Sequence, residues 1–185
     1  MQDKVVIVVD NSNVFIQGQT LSAAAKGLVR LPGDTRDPQD PSWRVDFGQL
    51  LSNVGNGRLV SHAILVGSRP PQNDSVWQAA KQSGFQVTVH EPGPDNKEKA
   101  VDTELVAQGT EIVCTEPGPQ TLAILSGDRD FIPLVRIAQK KGWPVEMWAF
   151  KNSFNPAGEM AMTVDNIRPL DDVFPEIGHN VFVWP

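Results

Sequence analysis

Residues 121–131 read Thr-Leu-Ala-Ile-Leu-Ser-Gly-Asp-Arg-Asp-Phe, and this stretch decides the fold. Its first five residues form an apolar run that is long enough for a buried strand and too short for a helix. The run ends at a Ser-Gly pair, and the carboxylates Asp128 and Asp130 follow. Apolar residues then recur at helical spacing over 131–138, which predicts a helix packed back onto a sheet. Both carboxylates are therefore predicted in a strand-to-helix turn at the carboxyl edge of a parallel sheet, where ligands bind.

A second stretch has the same design. Residues 4–9 form another apolar run, and Asp10-Asn11-Ser12-Asn13 follow it. Two strands of one parallel sheet would then deliver acidic side chains to the same edge, where the carboxylates repel one another unless a cation neutralises them. Clusters of oxygen ligands suit Mg²⁺ or Mn²⁺. The sequence therefore predicts a divalent-metal site.

The rest of the chain alternates predicted strands with predicted helices. Strands are predicted at residues 4–9, 59–66, 85–90, 121–125 and 143–150, with a short edge strand at 166–170. Helices are predicted at about 14–26, 45–54, 73–82, 98–114, 131–141 and 156–163, and a polar, Pro-rich loop at 30–42. This alternation indicates an α/β domain with a mainly parallel sheet. In the order 3-2-1-4-5, strands one and four are neighbours, which would bring Asp10 beside Asp128 and Asp130.

The composition fits one globular domain. The chain has 185 residues, of which 40% are hydrophobic and 21% charged, enough for a single substantial core. Its last residues, 181–185, are apolar for a tail, so they are expected to pack on another surface, and a homodimer partner is one candidate.

The chain is expected to be cytoplasmic. Its single cysteine, Cys114, excludes an internal disulfide and fits a reducing compartment. No signal-peptide pattern precedes the first strand, and no apolar run is long enough to span a bilayer, so no membrane partner is expected.

The charge is unevenly distributed. The net charge of −6 argues against broad, unspecific binding of nucleic acid. Residues 1–90 hold 8 Lys and Arg against 7 Asp and Glu, whereas residues 91–185 hold 8 against 15. Part of this acidic excess is the predicted metal site itself, which a bound cation would offset.

A third acidic contribution opens the fourth predicted helix. Residues 97–104 read Lys-Glu-Lys-Ala-Val-Asp-Thr-Glu, and Asp102 lies in the first turns. Glu104 points about 200° away around the helix, so it is not expected to face the same metal as Asp102. An acid at a helix start is also favoured by the helix dipole, which explains Glu98 fully and Asp102 only in part.

These motifs together resemble the NYN domain of the PIN-like nuclease superfamily. They are Val-Val-Asp10-Asn-Ser-Asn13, Lys97-x-Lys99-x-Val-Asp102 and Leu-Ser-Gly-Asp128-Arg-Asp130-Phe131, in the same order and on the same kinds of element. The resemblance covers about residues 4–172 and leaves 173–185 as a C-terminal tail of one domain. It implies a three-layer α/β/α sandwich and a hydrolase, a metal-dependent endoribonuclease.

The resemblance also implies roles for individual residues. The catalytic, Mg²⁺- or Mn²⁺-binding carboxylates would be Asp10, Asp102, Asp128 and Asp130. Asn13 would be a polar neighbour, and Lys99 and Ser126 would be supporting positions. Lys97 and Arg129 join them as substrate-binding candidates because they fall in the predicted carboxyl-edge loops. The family pattern often has a further acid beyond the Asp102 position, where this chain has Gln108, which leaves fewer negative ligands.

Phosphodiester hydrolysis requires an in-line water and stabilisation of charge on the phosphoryl and leaving oxygens, which carboxylate-held metals provide. Asp10 and Asp128 are predicted to bind metal directly, and Asp102 and Asp130 to complete the shell or bind through water. No histidine is required as a general base. The three histidines, His62, His90 and His179, are predicted to be structural.

Several side chains are candidates for RNA contact. Five cations fall in predicted carboxyl-edge loops: Arg69, Lys97, Lys99, Arg129 and Lys151. Trp43, next to the long loop, could stack an unpaired base, although a core position is favoured for it as for Trp77, Trp143 and Trp148.

Less specific interpretations also exist. Asp after a strand often caps the next helix, so Asp10, Asp128 or Asp130 could each be a cap. The protein could be a non-catalytic RNA-binding or regulatory module, which its acidity and Gln108 favour. Phosphatases on doubly wound folds also place Asp after strand one, but they typically carry a second acid two residues later, where this chain has Ser12. No Gly-rich phosphate loop or dinucleotide fingerprint is present, so no nucleotide cofactor is expected.

Overall fold

The first strand, β1 (Lys4–Asp10), shows how the sequence builds the core. Its side chains alternate between the two faces of the sheet, as strand geometry requires. Val5, Ile7 and Val9 join one apolar cluster, whereas Val6 and Val8 join the other. All five are fully buried, so both faces of the strand are covered. A continuous run of Val and Ile is the composition of such a strand in a parallel sheet.

The structure is a computed structural model that describes residues 3–68, 75–90 and 97–182; for Ser68 and residues 97–99 it describes the backbone alone. The strands after β1 are β2 (Trp43–Val45), β3 (Leu59–Ser68), β4 (Gln86–His90), β5 (Thr121–Leu125), β6 (Val145–Ala149), β7 (Asn166–Pro169) and β8 (Gly178–Asn180). The helices are α1 (Asn11–Ala25), α2 (Phe47–Gly55), α3 (Ser75–Gln82), α4 (Lys97–Thr115), α5 (Ile132–Lys140) and α6 (Glu159–Thr163). Short 3-10 turns cover Arg129–Phe131 and Leu170–Val173. None of the described helices is long and apolar enough to cross a bilayer.

Six strands form one sheet in the order β4-β3-β1-β5-β6-β7, and every neighbouring pair is parallel. The predicted order is therefore confirmed, with β7 added at the edge. The chain leaves β1 towards β3 and β4 on one side and returns to β5 on the other. The switch point thus lies between β1 and β5, where Val9 is paired with Leu125.

Helices cover both faces of the sheet, which makes the fold a three-layer α/β/α sandwich. On one face α1, α2 and α3 contribute buried residues such as Val14, Leu50 and Trp77. On the other face α4, α5 and α6 contribute Leu105, Leu134 and Met160, among others. The fold class predicted from the alternating elements is confirmed.

Glycines end two of the helices as the sequence predicts. Gly84 and Gly142 follow α3 and α5 with φ values of +106° and +78°, a region that side chains with a Cβ rarely occupy. The predicted caps of α3, Asn73 and Asp74, lie outside the described residues.

A second, two-stranded sheet was not predicted. β2 and β8 pair antiparallel, with Trp43 opposite Asn180 and Arg44 opposite His179. Val181 continues this contact by donating its backbone N–H to the carbonyl of Ser42 at 2.8 Å. The C-terminal segment therefore packs on its own domain as far as Val181, whereas Phe182 is mostly exposed and residues 183–185 lie outside the described part.

Trp43 belongs to the core, so the suggestion that it stacks an unpaired base is wrong. Its side chain is 3% exposed, and its ring stacks on Phe174 with the centroids 5.6 Å apart. Gly18 and Gly178 leave room for the indole, because a Cβ at either position would lie 2.2 or 2.3 Å from a ring atom. The core positions predicted for Trp77, Trp143 and Trp148 are confirmed, since each is at most 7% exposed.

Candidate acidic site at the switch point

Asp10 ends β1 and caps α1. Its Oδ1 accepts a hydrogen bond from the backbone N–H of Asn13 at 3.2 Å and another from the Ser12 hydroxyl at 2.8 Å. Only 7% of Asp10 is exposed, so its carboxylate has little access to bulk water. The helix-capping interpretation is therefore correct for this residue, but it does not account for the second oxygen, Oδ2.

Ser126 connects that second oxygen to the neighbouring strand. Its hydroxyl, fully buried after β5, donates to Asp10 Oδ2 at 3.3 Å and accepts from the backbone N–H of Asp128 at 3.2 Å. One hydroxyl therefore joins the ends of β1 and β5 and positions the turn that carries Asp128. Gly127 fits tightly within this turn, since a Cβ there would lie 2.7 Å from Phe154 Cβ.

Burial raises the pKa of Asp10 above its ordinary value. The hydrogen bonds from Ser12, Asn13 and Ser126 act in the opposite direction, and the nearby charge of Asp128 raises the pKa further. The ionised carboxylate is thus partly stabilised by donors but still disfavoured by desolvation and by its acidic neighbour. A bound cation would relieve both penalties.

Asp128 and Asp130 lie in an exposed turn. Asp128 Oδ1 accepts from the backbone N–H of Asp130 at 2.9 Å and caps the 3-10 turn that follows. Capping is thus correct for Asp128 as well. Its backbone is nevertheless positioned by Ser126, which also binds Asp10, so capping and proximity to Asp10 occur together.

Asp102 reaches this edge from α4. It lines a cleft of about 190 Å³ together with Asp10 and Asp128, and α1 closes the cleft with Asn13 and its neighbours. A second hollow, of about 330 Å³, lies against Asp102, Arg129 and Asp130. Asp102 therefore borders both hollows, and all four predicted carboxylates line one or the other.

The arrangement fits a divalent ion that keeps much of its own water. The donors are hard carboxylate and amide oxygens, and the burial of Asp10 creates an electrostatic need for a cation. Within the described residues, however, no three Asp, Glu, His or Cys side chains lie close enough to hold one ion together. The described residues therefore do not form a full set of direct protein ligands, and Mg²⁺, which is usually bound by one or two carboxylates plus waters, fits them better than an ion that needs a protein cage.

Gln108, the position where an acid was expected, has other partners. Its Nε2 donates to Glu104 Oε1 at 2.6 Å and to Thr88 Oγ1 at 3.0 Å. Neither Gln108 nor Glu104 lines the two hollows around Asp102. The prediction that Glu104 faces away from Asp102 agrees with this geometry.

Of the five cations predicted to contact RNA, the structure describes the side chains of two. Arg129 is exposed and lines the second hollow. Lys151 lies 3.5 Å from Asp172, which partly offsets its charge. Arg69 and the side chains of Lys97 and Lys99 lie outside the described part, so their roles stay predictions.

The histidines have separate environments. His62 Nε2 lies 2.9 Å from Glu116 Oε1, a structural pair within the domain. His179 instead lines a cavity together with Asn11 and Arg44, which the sequence interpretation did not anticipate. A helical-wheel plot of α1 could have separated Asn11 and Phe15 from Ser12 and Asn13, which face the acidic cleft.

Comparisons with known proteins agree with this fold. The family model described as NYN domain matches residues 4–171. No curated protein sequence matches the chain. The crystal structure of a protein of unknown function from Vibrio parahaemolyticus is similar in fold, with a TM-score of 0.65 and 19% identity, covering 92% of this chain and 94% of that one. Because the family model matches nearly the whole chain, the protein belongs to the NYN domain family, within the PIN-like nuclease superfamily.

Proposed function

We propose that the protein is a metal-dependent ribonuclease that hydrolyses RNA phosphodiester bonds with Mg²⁺ or Mn²⁺ at the acidic cleft. The observation that carries the proposal is the link from buried Asp10 through the Ser126 hydroxyl to the turn of Asp128, with Asp102 lining the same cleft. Carboxylates from three distant parts of the chain converge at the edge of the sheet where α/β folds bind ligands. Membership of a nuclease-related family supports the same reaction class.

The residues of the cleft would have different roles. Asp10 and Asp128 would hold the ion, and Asp102 and Asp130 would act on it through water molecules. When bound, the ion supplies charge for the phosphoryl oxygens and makes a bound water more acidic. Ser12 and Ser126 orient the Asp10 carboxylate, and Arg129, exposed beside Asp130, would pair with a phosphate of the strand.

The decisive experiment measures cleavage of end-labelled RNA by the purified protein with Mn²⁺, with Mg²⁺ and with EDTA. Asp128→Asn removes one negative ligand while keeping the size of the side chain, and it is expected to lower the rate at least a hundredfold. Glu111→Gln is the matched control, because it removes one charge from an exposed site on α4 that lines neither acidic hollow. Cleavage that survives EDTA, or that survives in Asp128→Asn, would refute the proposal.

A non-catalytic RNA-binding module is the second candidate. It is favoured by the net charge of −6 and by Gln108, which stands where the family pattern often has an acid and whose side chain donates to Glu104 and Thr88. The same assay separates the candidates, because RNA that is bound but left uncut with either metal would support the second.

A further inference from the structure

A cavity of about 330 Å³ lies on the opposite side of α1 from the acidic cleft. Successive residues of a helix are about 100° apart, so Asn11 and Phe15 share one face, whereas Asn13 and Gln17 lie on the opposite face. The first pair lines this cavity, and the second pair lines the cleft. One turn of helix therefore separates the two hollows, and the adjacent residues Asp10 and Asn11 contribute to one each.

The walls of the cavity suit a flat aromatic ligand. Phe15 approaches from α1 and Phe47 from the start of α2, and Ala79 lines it from the exposed side of α3. A volume of this size, open to solvent and bounded by rings and small aliphatic groups, offers a nucleobase both apolar contact and a route in. Aromatic side chains bind bases of any sequence, because every base has a π-face.

Arg44 gives the cavity a positive charge, which suits the phosphates of an RNA strand. Arg44 and His179 face each other across the β2–β8 ladder, and both line the cavity. The Arg44 guanidinium lies 6.0 Å from the centroid of the Phe15 ring, and no carboxylate of the described chain pairs with it. No acidic residue is among the described residues that line the cavity, although the whole chain has a net charge of −6.

Asn11 supplies an unused hydrogen-bond acceptor. Its Oδ1 is buried and has no partner among the described residues. Buried acceptors are nearly always satisfied, so this atom requires an external donor or represents a cost to the folded state. Every RNA base carries an N–H group on its Watson–Crick edge that could donate to a carboxamide oxygen.

We propose that this cavity binds one unpaired nucleobase of the RNA strand whose phosphodiester lies in the acidic cleft. The inference rests on the proposed function for the position of the strand, and it adds a base subsite across α1. An RNA strand that crosses the start of α1 would place a phosphate near Asp10 and a base near Asn11. The occupant is a base in a strand rather than a free metabolite, since α1 lines both hollows and the Arg44 guanidinium at the cavity pairs with no carboxylate among the described residues.

Binding is measured by fluorescence anisotropy in EDTA, so the result does not depend on cleavage. The probes are a labelled adenosine hexamer and a hexamer of abasic riboses with the same number of phosphates. The wild-type protein is expected to bind the adenosine strand about tenfold more tightly, the effect of one stacked base. Ala79→Leu narrows the cavity without adding a ring that could itself stack, and this variant is expected to bind both strands with nearly equal affinity.

Gln78→Leu is the matched control, because Gln78 is exposed one residue away on α3 and does not line the cavity. Gln78→Leu should keep the wild-type ratio between the affinities for the adenosine hexamer and the abasic hexamer. Asn11→Ala should reduce the affinity for the adenosine strand alone, with a free energy of unfolding that is unchanged or higher, because the lost acceptor had no partner.

Three results would overturn the inference: equal binding of the two hexamers by the wild-type protein, an unchanged ratio in Ala79→Leu, or binding of free adenosine monophosphate as tight as that of the hexamer. Failure of the proposed function looks different. If the protein distinguishes the hexamers in EDTA but cleaves no RNA with Mn²⁺, the base subsite is supported and the proposed nuclease function is refuted.

Discussion

The hydroxyl of Ser126 lies 3.3 Å from Oδ2 of Asp10 and joins the carboxyl ends of two neighbouring parallel strands. Because the same hydroxyl accepts from the N–H of Asp128, one small side chain sets the relative positions of two carboxylates that are far apart in the sequence. A serine after β5 is thus part of the acidic site by geometry.

Ser126→Ala is expected to weaken the site without unfolding the protein. The hydrogen bond from Ser126 lowers the pKa of Asp10, so its loss should raise that pKa further and shift the acid limb of the cleavage–pH profile to higher pH. The rate near neutral pH should fall about tenfold, as for the loss of a hydrogen bond to a charged group. Ser83→Ala removes an exposed hydroxyl and serves as the control. An unshifted profile in Ser126→Ala would contradict this role.

Asp10→Asn is expected to stabilise the fold while abolishing activity. The raised pKa means that the native state binds the proton of Asp10 more tightly than the unfolded state does. The contribution of Asp10 to the free energy of unfolding is therefore largest below the pKa that Asp10 has in the unfolded state. It decreases as the pH rises through the pKa that Asp10 has in the native state. The variant lacks this decrease, so its Tm should exceed that of the wild type at pH 7, and the difference should vanish towards pH 3. Thermal scans across this range check the sign, and a lower Tm at pH 7 would refute it.

Mn²⁺ should reverse the order of Tm values at pH 7, so that the wild-type protein becomes more stable than Asp10→Asn. A ligand at a hundred times its Kd stabilises a protein by about 2.7 kcal/mol, or about 5–11 °C in Tm for a domain of this size. The wild-type protein should show a rise of this kind on addition of Mn²⁺, and Asp10→Asn and Asp128→Asn should show little. Equal rises in all three proteins would place the ion elsewhere.

The sequence predicted the central sheet well because its signals are local. Residues 5–9 and 122–125 are apolar runs buried on both faces, and they needed no tertiary information to be recognised. The second sheet was missed because β2 and β8 are three residues each and pair across most of the chain. Trp43 illustrates the same difficulty, since its burial depends on Phe174 and Gly178, which only the folded chain brings near.

The carboxylates of the candidate site were predictable for the same local reason, since each follows a strand or opens a helix. What the sequence did not indicate is how they are connected. The link through Ser126 and the unpartnered Asn11 oxygen depend on side-chain rotamers and on the packing of β2 against α1. The placement of the four acids around two hollows was foreseeable, and so was a ligand fewer at Gln108. That no three ligating side chains of the described residues lie close enough to share an ion was not.

Gly18→Ala tests the packing of Trp43 against α1. A Cβ at Gly18 would lie 2.2 Å from the indole ring, so the ring or the helix must move. Overpacking of this kind typically costs about 1–3 kcal/mol of unfolding free energy. Gly118→Ala is the control, because its added Cβ would meet no atom within 4 Å. Denaturant unfolding should show a lower free energy of unfolding in Gly18→Ala and an unchanged one in Gly118→Ala.

Gln108→Glu tests whether the missing acid limits activity. The new carboxylate would lie against Glu104, whose Oε1 now accepts a hydrogen bond from Gln108 at 2.6 Å. Loss of that bond and repulsion at i and i+4 should reduce the unfolding free energy by about 1–2 kcal/mol. Because position 108 lines neither hollow around Asp102, the cleavage rate should not rise. Glu104→Gln combined with Gln108→Glu exchanges donor and acceptor, so the double variant should recover most of the lost stability. If Gln108→Glu instead cleaves faster at unchanged stability, then residue 108 reaches the metal and its placement outside the two hollows around Asp102 is wrong.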